Sequence, residues 1–322
     1  MKAKSVKYVD LFCGIGGFRV AMEQVCENLG VEAECVFSSD IDKYCQDSYE
    51  GNFGHRPVGD ITQVDEQEVP DHDVLFGGFP CQPFSIIGRM RGLQDTRGTL
   101  FFDIARILEA KQPRLFVLEN VKQLVGHDGG KTLSVIMETL NKLGYDARFK
   151  VLNALDYGLP QKRERVVIVG SRGELDFEFP APLGEYKPLQ EILESEVDEK
   201  HFASEHIRNK RSARHTSTTF PSIWHENKSG NVTSYPFSCA LRAGASYNYL
   251  LVNGERRLTP REMLRLQGFP DSYRIVVSDG QLRKQAGNAV PVDMIRAVLG
   301  QFSSEFIALS RGEIRSALAV AS

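Results

Sequence analysis

Through roughly its first 170 residues the chain alternates short apolar runs with stretches of helical period. Residues 6–12, 35–39, 73–76, 115–118, 148–152 and 165–169 read as strands, and 18–29, 98–110 and 131–143 as helices. Strands separated by helices are crossover-connected, which favours parallel pairing and buries both sheet faces. The expected fold class is α/β, a doubly wound, mostly parallel sheet with ligands at the carboxyl ends of its strands. The alternation breaks near Phe179-Pro-Ala-Pro182, and residues 181–255 carry weak periodicity, many Ser, Thr, Asn and His, and Trp224. Residues 259–266 are helical again, and 292–311 read as one amphipathic helix packing back on the first domain. The expected division is 1–180, a smaller irregular domain over 181–284, and a returning segment over 285–322.

With 322 residues, 42% hydrophobic and 25% charged, the chain can bury one large core and a smaller one, and neither disorder nor a fibrous repeat fits. No stretch approaches the roughly 18–20 apolar residues of a membrane helix. The start lacks the apolar run of a signal peptide, so a cytoplasmic protein is expected. Six scattered cysteines without a Cys-x-x-Cys imply neither disulfides nor a metal site. The net charge of −3 hides a segregation: residues 200–284 hold 14 Lys and Arg against 6 Asp and Glu. Starting that window at residue 182 reduces its excess to +3. Such a basic portion suits a polyanion-facing surface, and solvated helix faces account for it equally well.

Phe12-Cys-Gly-Ile-Gly-Gly17 follows a strand and opens a helix, where glycines let the backbone approach a ligand. Asp40, 23 residues after Gly17, ends the next strand, where a carboxylate can accept ribose hydroxyls. Asp60 is placed at the end of a third strand, in reach of an exocyclic amine. Each alone reads equally as a turn residue. In register they indicate an adenosine-containing cofactor, with NAD and S-adenosylmethionine undecided.

Phe76-Gly-Gly-Phe-Pro-Cys-Gln-Pro-Phe-Ser85 sets a cysteine between prolines after a strand. Pro80 and Pro83 force an irregular extended loop, so Cys81 is better read as a nucleophile than as core packing. The stretch from Gly88 to Gly98 carries three arginines between glycines and reads as a basic loop able to close over a substrate. Glu119-Asn-Val121 leaves an apolar strand, where partial desolvation raises a carboxyl pKa. In Gln161-Lys-Arg-Glu-Arg165, strand alternation sets Arg163 and Arg165 on one face.

These segments, with Arg261-Glu262, Leu266-Gln-Gly-Phe-Pro270 and Gln285-Ala-Gly-Asn-Ala-Val290, resemble the ordered motif set of the DNA (cytosine-5) methyltransferases, most nearly small bacterial modification enzymes of the HhaI type. The resemblance covers the chain except about residues 181–250. It implies a Rossmann-like S-adenosylmethionine-dependent methyltransferase fold, with catalysis in 1–180 and target recognition in 181–284.

It also implies the chemistry. Cys81 adds to cytosine C6, Glu119 stabilises N3, Arg165 holds O2, Arg163 supports the pocket, and C5 accepts a methyl group from S-adenosyl-L-methionine. The base must leave the duplex stack for this attack. Cofactor contacts implied are Phe12, Gly14, Gly16, Asp40, Ile41 and Asp60, with Ile61, Pro80, Leu100 and Asn288. Ile41 stands where such enzymes commonly have tryptophan against the adenine, and Asp40 where they have glutamate. Ser85, Arg89, Arg97, Arg242, Tyr247 and Asn248 are candidate DNA contacts. The expected partner is double-stranded DNA with a short specific site, bound by a monomer paired functionally with a cognate restriction endonuclease. The alternatives are a tRNA cytosine-5 methyltransferase and a catalytically inactive DNA-binding protein.

Overall fold

The computed structural model describes residues 4–80, 100–173 and 177–314. The chain divides into two compact units, one of residues 1–152, 164–180 and 295–322, the other of 153–163 and 181–294.

The first unit is built on β1 (Val6–Leu11), β2 (Ala33–Ser39), β3 (Val74–Gly77), β4 (Leu115–Val121), β5 (Asp146–Asn153) and β7 (Glu164–Ser171), while β6 (Gln161–Lys162) belongs to the second unit. Among the described residues these form a six-stranded sheet in the order β2-β1-β3-β4-β7-β5. Strand β1 pairs in parallel with β2 and β3, and β3 with β4. The chain moves from β1 outward to β2 and then back to β3 on the other side. The carboxyl ends of β1 and β3 therefore flank a switch point, where a crevice forms outside the sheet. Helices α1 (Gly17–Leu29), α2 (Lys43–Phe53), α3 (Leu100–Lys111) and α4 (Lys131–Lys142) alternate with the strands. Ile104 and Leu108 of α3 and Ile136 of α4 share a buried core with Leu75, Leu118 and Ile168 of the sheet. Full burial of each such side chain stabilises by about 1.5–3 kcal/mol.

The β4–β7 pairing departs from the parallel scheme. Strand β7 runs antiparallel to β4, with Val121 opposite Arg165 and Leu115 opposite Ser171. Apolar periodicity marks a buried strand without giving its direction, so the alternation could not show this.

In the second unit α5 (Leu189–Ile192) and α6 (Glu205–Ser212) precede β8 (Ile223–Glu226), β9 (Val232–Tyr235), β10 (Ser238–Cys239) and β11 (Leu250–Val252). Strand β8 is the antiparallel centre of a sheet ordered β11-β8-β9, and β10 pairs in parallel with β6. The region expected to be irregular thus holds a small sheet, whose strands are too short for a period-two pattern to show. Helices α7 (Pro260–Leu266) and α8 (Asp279–Asn288) complete it. Leu266 and Ala286 pack with Ile223, Leu241, Leu250 and Leu258. Thr259 and Glu262 form a capping box on α7. Glu262, fully buried, also receives both terminal nitrogens of Arg256 at 2.8 and 2.9 Å.

The expected single helix over 292–311 is two, α9 (Val292–Gly300) and α10 (Ser303–Arg311). The break allows Phe302 to bury completely and stack on Phe177, ring centroids 4.8 Å apart, and Ser303 Oγ donates to the Gly300 carbonyl at 2.6 Å. Helix α10 packs on α1 and β1 within the first unit. No helix among the described residues is long and apolar enough to cross a membrane.

The β4–β7 register carries a tight steric match. Gly170 lies opposite Phe116, and a Cβ on Gly170 would sit 2.2 Å from the Phe116 ring. Because Phe116 is fully buried between helices and sheet, its ring has nowhere to retreat. Gly170→Ala is expected to lower unfolding free energy by about 1–3 kcal/mol in urea titration. An unchanged midpoint would contradict this register.

Candidate active site

At the carboxyl end of β1 the backbone turns through left-handed residues: Phe12 at φ 55°, Gly14 at 54° and Gly16 at 81°. Gly16 has a second constraint, since a Cβ there would meet the Phe53 ring at 2.4 Å. A Cβ on Gly14 would meet nothing within 4 Å, so there the turn itself asks for glycine and its backbone faces open space. The Gly14 amide donates to Asp40 Oδ2 and the Asp42 amide to Asp40 Oδ1, both at 2.8 Å. Burial pushes the Asp40 carboxyl up, and these two amide donors pull it back. Asp40 is thereby locked in orientation by the loop it faces. Beside it Ile41 is 75% exposed, an aliphatic side chain held in solvent.

Asp60 ends no strand. It follows an isolated bridge between Ser39 and Val58 and caps a short 3-10 turn, Ile61–Gln63, in which Ile61 is buried. Its Oδ1 accepts from the Thr62 amide at 3.0 Å and the Thr62 hydroxyl at 2.8 Å, and among the described residues Oδ2 has no partner. The capping geometry of Asp-x-Thr explains the difference. Pro80 is exposed after β3, and Leu100 is half-buried at the start of α3. Asn288 belongs to the second unit, where it is exposed at the end of α8. Cys81, Ser85, Arg89 and Arg97 lie outside the described residues.

Glu119 lies near the carboxyl end of β4, buried, and Arg165 near the amino end of β7. Arg165 Nε is 2.7 Å from Glu119 Oε1. Glu119 faces Val167 and Arg165 faces Val121, so the two are diagonal neighbours on one sheet face. Antiparallel pairing is what brings a residue early in β7 to the edge where β4 ends. Asn120, which sequence reasoning gave no role, has its own task. Its Nδ2 donates to the Phe79 carbonyl at 2.9 Å and its Oδ1 accepts from the Val121 amide at 2.8 Å. Asn120 thus fixes the backbone two residues before Cys81.

Arg163 does not share a face with Arg165. It sits in the break between β6 and β7, so alternation does not apply to it, and it belongs to the second unit. Its side chain is 0% exposed. Nη1 donates to the Leu241 carbonyl at 2.9 Å, and Nη2 to the carbonyls of Gly287 and Ala289 at 3.0 and 2.7 Å. Gln161 works beside it: Nε2 donates to the Leu266 carbonyl at 2.8 Å, and Oε1 accepts the Leu241 amide at 3.0 Å. Gln267 in turn donates to the Ala286 carbonyl. A Cβ on Gly287 would sit 2.3 Å from the Ala243 nitrogen, so α8 and the 241–243 backbone touch directly. Three of the quoted motifs thus meet in one buried polar knot. Of the candidate DNA contacts here, Arg242 and Tyr247 are exposed, and the Asn248 carbonyl accepts from Arg211.

Asp10, beneath the glycine loop in β1, is fully buried. The sequence signal is a lone acid inside an apolar strand, and Arg19 and Tyr49 are the groups that favour its charged form. Burial pushes its pKa up to about 8, against the pull of Arg19. The folded state therefore holds this proton up to about pH 8, whereas the unfolded chain releases it near 4. Stability falls as pH rises through that window, because the native state binds more protons there. Asp10→Asn removes this contribution. Melting temperatures recorded from pH 4 to 8 should show the variant gaining steadily on the wild type. A constant difference would contradict a neutral Asp10.

Comparison with known proteins gives the family and the fold. The family model described as C-5 cytosine-specific DNA methylase matches residues 6–304. The Type II methyltransferase M.HaeII of Haemophilus aegyptius is 56% identical over 301 residues, covering 92% of this chain and 92% of that protein. The Type II methyltransferase M.HhaI of Haemophilus parahaemolyticus is 40% identical over 313 residues, 91% of this chain and 93% of that protein. In fold, the Entamoeba histolytica methyltransferase EhMeth superposes with a TM-score of 0.72 at 17% identity, covering 96% of this chain and 99% of that one. A glycine turn locked to an acid, a buried Glu–Arg pair at the same sheet edge and a match along nearly the whole length converge: this chain belongs to the C-5 cytosine-specific DNA methylases.

Proposed function

We propose that the chain methylates C5 of a cytosine held out of duplex DNA, as the modification enzyme of a Type II restriction–modification system acting in the cytoplasm as a monomer. The observation that carries the chemistry is the Glu119–Arg165 pair at the carboxyl edge of the sheet.

S-Adenosyl-L-methionine is the methyl donor of this reading, and the first unit's residues fit it. Gly14 offers bare backbone to open space, Asp40 an oriented carboxylate, Ile41 an exposed aliphatic face for a purine, and Asp60 an oxygen for an exocyclic amine. Phe12, Gly16, Ile61, Pro80, Leu100 and Asn288 are the further cofactor contacts of the proposal. When bound, the cofactor supplies an electrophilic methyl group on sulfonium.

Cytosine C5 is a weak carbon nucleophile, so the ring must first be activated. The Cys81 thiolate adds to C6, forming a C–S bond and driving the electron pair toward C5. Glu119 meets the charge that develops at N3 with a proton or a strong hydrogen bond. Arg165 holds Glu119 in place and presents its guanidinium to O2. With the cofactor bound, C5 would take the methyl carbon as the sulfonium–methyl bond breaks and a neutral thioether leaves; loss of the C5 proton to a base would then return the electron pair that expels the Cys81 thiolate. Arg163 acts from within the second unit by fixing backbone. The exposed Arg242 and Tyr247 and the half-buried Asn248, with Ser85, Arg89 and Arg97, supply DNA contacts, and residues 181–284 read the target.

Cys81→Ala should leave methyl incorporation from labelled S-adenosylmethionine undetectable while duplex binding in a gel shift persists. Turnover by that variant would remove the nucleophile from the account. Glu119→Gln keeps the shape of the side chain without its proton. It should lower kcat by about 10²–10⁴-fold with cofactor binding unchanged; near-normal turnover would contradict its role.

A further inference from the structure

The second unit contains a cleft lined by Lys200, His201, Arg242, Tyr247, Arg257 and Arg283, among others. Most of its cations are already engaged. Lys200 pairs with Asp279 at 3.1 Å, and His201 Nε2 lies 4.0 Å from the same carboxylate. Arg257 donates to the Lys200 carbonyl and to Asn248 Oδ1, and Arg283 to the carbonyls of Ala245 and Ser246. The guanidiniums of Arg257 and Arg283 also lie over the Tyr247 ring, 5.2 and 4.8 Å from its centroid. These two arginines therefore spend part of their donor capacity and the face of their guanidiniums on the 245–248 loop.

Arg242 differs. Its guanidinium is exposed, and among the described residues it meets no carboxylate or carbonyl acceptor. Yet it is not loose. Its amide donates to Tyr249 Oη at 2.9 Å, and its side chain lies over the Tyr249 ring, 4.8 Å from the centroid. Behind it, Gln161 and Arg163 grip Leu241, and Gly287 abuts the backbone of Arg242 and Ala243. An arginine fixed at its base, stacked along its length and left with an open fork is preorganised for a planar, two-acceptor partner.

We infer that Arg242 is a specificity-determining residue that reads one guanine of the target through O6 and N7 in the major groove. That base edge presents two acceptors matched to a guanidinium, and a phosphate is the competing partner. The inference rests on the DNA-methylation reading above. It assigns the other two arginines to positioning and Arg242 to recognition.

Bisulfite sequencing of host DNA from cells expressing the full chain defines the methylated site. No methylated site for the wild type would overturn the DNA-methylation reading and this inference with it. With the site in hand, purified wild type, Arg242→Ala and Arg242→Lys are titrated against the target duplex and against duplexes changed at one base pair each, over a range of salt. Both variants should still bind and methylate, but lose about 5- to 150-fold of discrimination at a single G·C pair. Lysine should not restore it, because a point charge lacks the fork. A uniform loss on every duplex, with the salt slope reduced by about 1 and binding rescued by lysine, would make Arg242 a phosphate contact and overturn the inference. An unchanged target profile, or loss of all binding in both variants, would overturn it equally.

Discussion

The contact between Glu119 and Arg165 depends on one strand running against its neighbours. In an all-parallel sheet the early residues of β7 would lie at the opposite edge from the end of β4. Because β7 is antiparallel, Arg165 reaches the edge where Glu119 ends its strand, and the two meet at 2.7 Å. Around them that edge is furnished by parallel logic. The turn after β1, locked by Asp40, and the stem after β3, held by Asn120, both emerge there. The carboxyl and the guanidinium share one sheet face, and strands are stiffer supports than loops.

The second unit solves a different problem. Its strands are short and its helices few, so apolar burial alone gives it a small core. A buried polar knot adds definition: Arg163, Gln161 and Gln267 bind the carbonyls and amides of three separate segments. Buried donors satisfied in this way specify one arrangement, because an alternative packing would strand them without partners. Arg163 and Arg165 stand two residues apart and have different partners, the one backbone carbonyls inside the second unit and the other Glu119 on the sheet.

Much of this is legible in the amino-acid sequence. The alternation of strands and helices gave the α/β class, and Glu119, Arg165 and the glycine turn were marked by their place at strand ends. What escaped detection shares a cause: it depends on partners distant in sequence. The direction of β7, the break between α9 and α10 and the role of Arg163 are set by contacts that local periodicity does not encode. Asp60 was misplaced because a capping aspartate and a strand-end aspartate look alike in one dimension. The strands of the second unit are three or four residues long in its sheet, below the span at which a period is readable.

The proposed reaction requires a bond between the Cys81 sulfur and cytosine C6. Replacing the C5 hydrogen of the target cytosine with fluorine removes the proton that must leave, so the enzyme should stall after methyl transfer. Incubation of the chain with such a duplex and S-adenosylmethionine is expected to yield a stable protein–DNA adduct, with mass spectrometry placing the link on Cys81. A chain that methylates ordinary duplex yet forms no adduct with the fluorinated one would contradict covalent activation.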